Sequence, residues 1–192
     1  MLLIFSMSTT AFASSSDPYV TVYITSGMFT LGGFDYNNNQ PIYQTYDSSK
    51  NPANNMLTGY IAKSFYASAI PTAATQAKYL PSGTTLSYSP NVLDAAIYAL
   101  MSQTTSINCG WDSYNAGGYI NSFTPNGTPT YGPTYTVTIN GVTYTVYSGK
   151  GIQIACTQGG TISGISSYAT NYALADNMVI VVDISPYVIF YP

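Results

Sequence analysis

The chain has no histidine, arginine or glutamate, and its only fixed charges are four lysines and seven aspartates in 192 residues. Without histidine there is no imidazole to act as base, nucleophile orienter or metal ligand, and without arginine there is no bidentate clamp for phosphate or carboxylate. Charged residues make up 6% of the chain, against about 25% in a typical soluble domain. The net charge of −3 reflects a shortage of both signs, so neither a basic nucleic-acid footprint nor a polyacidic tail is present. Beyond the N-terminal stretch, no apolar run approaches the roughly 18 residues that cross a bilayer, and no transmembrane segment is expected in the mature chain.

Hydrophobic residues reach 46%, with 20 tyrosines, enough for a packed core and too many for a disordered chain. Met1 to Phe5 and on to Ala11-Phe12-Ala13 reads as an apolar stretch ending in an Ala-x-Ala cleavage pattern. Residues 1–13 are therefore expected to be a signal peptide. The missing positive n-region implies that its true start lies further upstream. Residues 14–192 then form a single exported domain, secreted or at the cell surface. In that oxidising setting Cys109 and Cys156 are expected to form a disulfide, which would close a long loop and contribute about 4 kcal/mol. Two small buried thiols are the alternative.

Residues 19–25 alternate β-branched and aromatic types and form a first strand, stopped by Ser26-Gly27. Residues 32–80 read as a loop-rich insertion. Within it 56–70 has Leu57, Ile61 and Phe65 at four-residue spacing, which favours a short helix, although Gly59 and the aromatics leave a strand open. The best helix begins near Ser89-Pro90, with Ser89 as cap, Pro90 at the first helical position and Asp94 near the positive dipole end. Its apolar stripe of Val92, Ala96 and Leu100, flanked by Leu93, Ile97 and Met101, calls for a sheet beneath it. Asn140-Gly141 supplies a type I′ turn between alternating arms, placing Ile139 opposite Val142, Val137 opposite Tyr144 and Tyr135 opposite Val146. Further strands are expected at 152–157, 178–184 and 187–191. The fold class is α+β: one main helix packed on largely antiparallel sheet.

Val92-Leu93-Asp94-Ala95 on a capped helix is followed by Gly110-Trp111-Asp112, Gly117-Gly118-Tyr119-Ile120 and a late Ala173-Leu174-Ala175-Asp176-Asn177. This series resembles secreted bacterial domains similar to the carboxy-terminal domain of transcobalamin and intrinsic factor, and residues 84–192 carry it best. The resemblance implies a β-grasp-like or transcobalamin-like domain at the cell surface, non-catalytic in most bacterial members. The family's Trp-x-Tyr-x-Val-Asn-Gly stretch is replaced here by Thr136-Val137-Thr138-Ile139-Asn140-Gly141, and its late Asp-Gly-Asp turn by Asp176-Asn177-Met178. Animal relatives contact cobalamin, so a corrinoid enters as a ligand by fold analogy alone.

One stretch gathers the features of a ligand site. Trp111, Asp112, Tyr114, Asn115 and Tyr119 join the only tryptophan, two tyrosines and two polar side chains to flexible glycines, an arrangement suited to stacking on a sugar or another neutral planar ligand. Alternatively Trp111 packs beneath the loop and the glycines serve a turn. Asp35 to Asn39 carries oxygens at alternating positions like the start of a calcium loop, but Gln40 stands where such a loop needs glycine and there is no Glu to close it, so no metal is expected. Ser–Lys neighbours at 63–64 and 148–150 are ordinary surface pairs, so no catalytic residue and no cofactor is assigned. The function expected is an exported binding or adhesion module for a glycan, a neutral small molecule such as a corrinoid, or a surface protein, with no nucleic acid. The alternative is a structural surface protein assembling through low-charge Thr/Tyr-rich strands.

Overall fold

Asn140 and Gly141 turn the chain with φ of 50° and 83° in the computed structural model, which describes residues 17–82, 84 and 89–192. The expected signal peptide at 1–13 lies outside these residues. In chain order the strands are β1 (Tyr19–Ser26), β2 (Gly33–Asp35), β3 (Gln40–Ile42), β4 (Lys63–Tyr66), β5 (Ser106–Asp112), β6 (Gly117–Thr124), β7 (Thr130–Tyr131), β8 (Tyr135–Ile139), β9 (Val142–Gln158), β10 (Thr161–Gly164) and β11 (Met178–Tyr191). Two helices, α1 (Thr72–Tyr79) and α2 (Val92–Met101), complete a mixed, sheet-dominated fold.

The β8–β9 hairpin has the register its sequence predicts, Ile139 facing Val142, Val137 facing Tyr144 and Tyr135 facing Val146. The second arm does not stop at Tyr147. The strand expected at 152–157 is the continuation of the same 17-residue β9, and those expected at 178–184 and 187–191 merge into the 14-residue β11. Pro186 interrupts the sequence pattern without breaking the strand. Pairing with β1 ends at Ile184, so the proline, which has no N–H, sits where β11 has become an edge. There the Gln44 side-chain amide donates to the Pro186 carbonyl at 2.8 Å.

The main sheet runs β10-β9-β11-β1-β4, with β7 and β8 also on β9. Among the described residues only β1 and β11 are parallel; β4, β9 and β10 pair antiparallel. Val20, Val22 and Ile24 of β1 and Ile180, Val182 and Ile184 of β11 face one core with α2. The β5–β6 hairpin closes over the same helix, giving a sandwich-like arrangement. Eight of the ten α2 residues are buried, Asp94 among them, so the helix is enclosed on nearly all sides rather than along one stripe.

Several expectations are corrected. The cap of α2 is Asn91, not Ser89, and Pro90 lies before the helix: Asn91 Oδ1 accepts from Asp94 N at 3.1 Å while Asp94 Oδ2 accepts from Asn91 N at 3.1 Å. This is a capping box with Asp in the Glu position. No helix spans 56–70. Gly59 has φ of 91°, Leu57 N donates to Ile24 O, and Lys63–Tyr66 pairs with β1 as β4. The helix comes later, at 72–79, where the buried residues are Thr72, Thr75 and Gln76 and leave no apolar periodicity to read. The 32–80 stretch, loop-rich as expected, also supplies β4 and the core residues Leu57, Tyr60, Ile70 and Leu80. Cys109 and Cys156 are free thiols, so the expected bridge is not formed. Cys156 lies on β9 of the main sheet and Cys109 on β5 of the separate hairpin. Burial pushes the Cys109 thiol up to about 12 and raises that of Cys156 as well.

One polar group is enclosed at the centre of the sheet. Asp183, fully buried on β11, lies level with Thr25 of β1. Its Oδ1 accepts from Thr25 Oγ1 at 2.6 Å, and its Oδ2 accepts from Met28 N at 3.1 Å and from Ser185 Oγ. Asp183→Ala leaves three buried donors without an acceptor and is expected to cost about 3 kcal/mol or more. Asp183→Asn, which turns one oxygen into a donor, should cost less, and Thr25→Ala about 1–2 kcal/mol. Urea titrations with unchanged slopes measure this order; an unchanged midpoint for Asp183→Ala would overturn it.

Candidate functional site

The residues singled out in the β5–β6 hairpin divide among several roles. Asp112 ends β5, and its Oδ1 accepts from Tyr114 N at 2.8 Å and from Asn115 N at 3.2 Å, while Asn115 Nδ2 donates to Oδ2 at 2.7 Å. Ala116 then takes a positive φ of 49° before β6 begins. The turn from Asp35 to Asn39 is built the same way, with Asn37 N, Asn38 N and Asn38 Nδ2 on Asp35 and φ of 54° at Asn39. In both hairpins an Asp–x–x–Asn sequence satisfies its own backbone, which is where the oxygens read as a calcium-loop start are used. Tyr114 projects into solvent at 93% exposure. Trp111 packs against the core and borders a cavity of about 220 Å³ shared with Gln76, Leu80, Asn91 and Thr170.

Tyr119 belongs to a larger feature. Its ring lies over Gly110, where an added Cβ would come within 2.5 Å of it, and the ring of Tyr168 lies over Gly117 at 2.1 Å by the same measure. At Gly117 the Cβ and Cγ of Tyr168 occupy the space a side chain would take, whereas at Gly110 it is the far end of the Tyr119 ring, which would have to swing aside. The two rings sit 5.8 Å apart at a 36° tilt, and the Tyr168 hydroxyl donates to Asp112 Oδ2. They form one wall of a groove of about 790 Å³, within the size range of small-ligand sites.

The opposite wall is Thr45, Tyr46 and Ser48. It is held by the Thr30 N to Thr45 O bond of 2.8 Å and by the edge-on packing of Phe29 on Tyr46 at 5.7 Å. The floor is Ile152, Gln153 and Ile154 of β9, with Ile162, Ser163 and Gly164 of β10 beside them. Ser166 and Ser167 rim the opening. No described lining residue is charged. The Tyr46 hydroxyl is buried without a hydrogen-bond partner among the described residues. Its burial, with the charges of Asp183 and Asp47 next in importance, holds this phenol above the usual range. The hydrogen bond to Asp112 likewise raises Tyr168, so both phenols stay neutral.

All seven aspartates accept hydrogen bonds within the fold. Asp17 binds Ser68 and Asp47 binds Ser49, Asp176 accepts from Tyr19 N and Asn177, and Asp94 accepts from Gln76 and Asn91. Asp35, Asp112 and Asp183 act as already described. The groove thus offers hydroxyl, amide, backbone and aromatic surface. The sequence placed Tyr119 in it and missed Tyr168, Tyr46 and the β9 floor, which come from segments between 33 and 73 residues away along the chain. No protein-family model, curated protein or solved structure matches the chain.

The Asp112 carboxyl is held down at about 2, first by the Tyr168 hydroxyl and next by Asn115. A carboxylate with a lowered pKa adds stability that is complete above its ordinary value near 4 and lost as pH falls through about 2. Emission of Trp111, the single tryptophan and the neighbour of Asp112, should show a step as pH falls through about 2. Asp112→Asn is expected to lack that step; an identical step in the variant would assign it to another group.

Proposed function

We propose that the chain is an exported, non-catalytic binding or adhesion module of the bacterial cell surface, and that its ligand is a neutral, hydroxyl-rich molecule held in the Tyr119–Tyr168 groove. The observation that carries this reading is an open groove of about 790 Å³ with aromatic, hydroxyl and amide lining and no charged side chain among its described residues. A charged ligand would lose its hydration there without gaining a counter-charge, whereas a glycan or other neutral ligand exchanges hydroxyl for hydroxyl. The use of every aspartate in turns, caps and the buried cluster supports a non-catalytic role, since it leaves no carboxylate in the groove to serve as base.

Export rests on the 1–13 segment. The likeness to a transcobalamin carboxy-terminal or β-grasp-like domain is supported by the order of elements it implies: an opening strand at 19–26, a capped helix at 92–101 and a closing strand at 178–191 in one sheet. A corrinoid belongs to the ligand set through that likeness, beside glycans and surface proteins.

A second reading, a self-assembling structural surface protein, draws on a different observation. Tyr131, Tyr135, Tyr147 and Tyr191 are exposed near the outer half of the sheet, and β8 pairs with β9 alone, leaving its other edge open. Native mass spectrometry of the chain, alone and with mixtures of neutral glycans and a corrinoid, separates the two. The expected result is a monomer that retains a neutral ligand, with affinity falling about tenfold in Tyr119→Ala. A series of oligomers with no retained ligand would overturn the binding reading in favour of assembly.

A further inference from the structure

The floor of the groove contains a break in strand pairing. Along the outer edge of β9, β8 pairs with Val142–Val146, β7 with Gly149 and Lys150, and β10 with Ala155–Gln158. Two bonds show which residues point outward: Gly132 N donates to Ser148 O at 2.8 Å, and Ile165 N donates to Ile154 O at 3.1 Å. Antiparallel strands alternate in hydrogen-bonding direction, so the even-numbered residues of β9 face this edge. Ile152 lies between these two contacts. Its partner on the other side, Ile184, directs its own carbonyl toward Ser26 of β1 rather than toward β9, so the Ile152 N–H and C=O are not used there either. Among the described residues nothing pairs with them, and Ile152 lines the groove together with Tyr119 and Tyr168.

We infer that this unpaired backbone amide and carbonyl of Ile152 form the polar recognition element of the groove, and that they read adjacent hydroxyls of a neutral sugar ring stacked against Tyr119 and Tyr168. The inference rests on the groove being the ligand site and deepens that reading. A sugar's vicinal hydroxyls donate and accept at once, matching an N–H and a C=O on one residue. An extended peptide is the other candidate for an open strand edge. The lane is closed at both ends, however, by β7 at Lys150 and by Ile165 at Ile154. Four residue steps separate those ends, about 14 Å, so an added strand would have to leave the edge after a residue or two, while a sugar ring fits between them. The absence of charge in the lining restricts the ligand to uncharged sugars.

The test uses the ¹⁵N-labelled full chain titrated with maltotriose, N,N′,N″-triacetylchitotriose and mannotriose, and separately with an uncharged Val/Thr heptapeptide. A trisaccharide is expected to shift the Ile152 amide together with the Tyr119 and Tyr168 signals. Ile152→Pro removes the N–H at a position with no ladder bond to lose and should weaken binding about tenfold, whereas Ile152→Val, which keeps it, should not. If the proline variant does not fold, the Ile152 amide shift alone decides. A trisaccharide that moves the tyrosine signals and leaves the Ile152 amide in place overturns the backbone contact and leaves the groove reading standing. Movement of Ile152 by the peptide alone overturns the sugar, and no response in the groove to any of these probes overturns the inference as a whole.

Discussion

The buried carboxyl of Asp183 holds together what the chain order keeps furthest apart. It lies on the last strand, level with Thr25 on the first, and the Thr25 hydroxyl donates directly to it. Parallel pairing of β1 and β11 demands that almost the whole chain be folded between them, a non-local arrangement that is costly in loop entropy. A polar group enclosed among apolar residues stabilises only if its partners are correct, so Asp183 also discriminates among registers: a slip of one residue would present its oxygens to the wrong face. Its second oxygen accepts from Met28 N, and Ser185 beside it accepts from Phe29 N at 3.3 Å. The path of the chain as it leaves β1 is thereby set, and with it the position of Phe29 against Tyr46, which forms a wall of the groove. The geometry of the groove is thus tied to a hydrogen-bond cluster behind it.

Scarcity of charge shapes the rest. With seven carboxyls and four ammonium groups, the fold uses aspartate chiefly as an acceptor for backbone N–H, hydroxyl and amide donors, near and far in the chain; the one ion pair among the described residues, Lys50 with Asp47 at 3.4 Å, lies on the surface. Exposed pairs of that kind contribute little. Asp94 shows the cost of the alternative. Its burial raises its pKa, while the Gln76 and Asn91 donors pull the other way, so the cap of α2 depends on amide groups to keep an enclosed acid satisfied. The groove follows the same economy: its lining draws its polar groups from tyrosine, serine, threonine and glutamine and carries no charge.

What was legible in the sequence was local. The Asn140-Gly141 hairpin could be read to its register because turn chemistry and alternation agree, and the first strand and the main helix could be read because their apolar patterns are uninterrupted. The cap of that helix was misplaced by two residues, since Ser89-Pro90 and Asn91 are both good starting signals and only the reciprocal bond with Asp94 distinguishes them. Helix α1 was invisible, its buried side being Thr72, Thr75 and Gln76. The continuity of β9 and β11 was hidden by glycines and a proline that normally end strands and are tolerated here because the neighbouring strand changes or stops. Of the candidate site, Tyr119 lies in the groove. Asp112 and Asn115 were recognisable as turn formers only by comparison with Asp35 and Asn38, and Tyr168 had no sequence signal beyond Gly117, the glycine it covers.

The length of β9 explains why the groove lies where it does. Seventeen residues of strand have one long partner in β11, and on the other side only short ones, of two, four and five residues. Short strands cannot cover a long edge without gaps, and a gap in the interior of a sheet edge would ordinarily be a liability. Here the chain leaving β10 turns away after Ile165 and returns through Tyr168 over Gly117, so the gap is bounded by an aromatic wall and not left as a flat template. The mismatch in strand length creates the unsatisfied backbone, and the aromatic wall restricts what can reach it. A ligand that satisfies Ile152 would therefore complete the pairing of the longest strand in the fold, coupling occupancy of the groove to the order of the sheet edge around it.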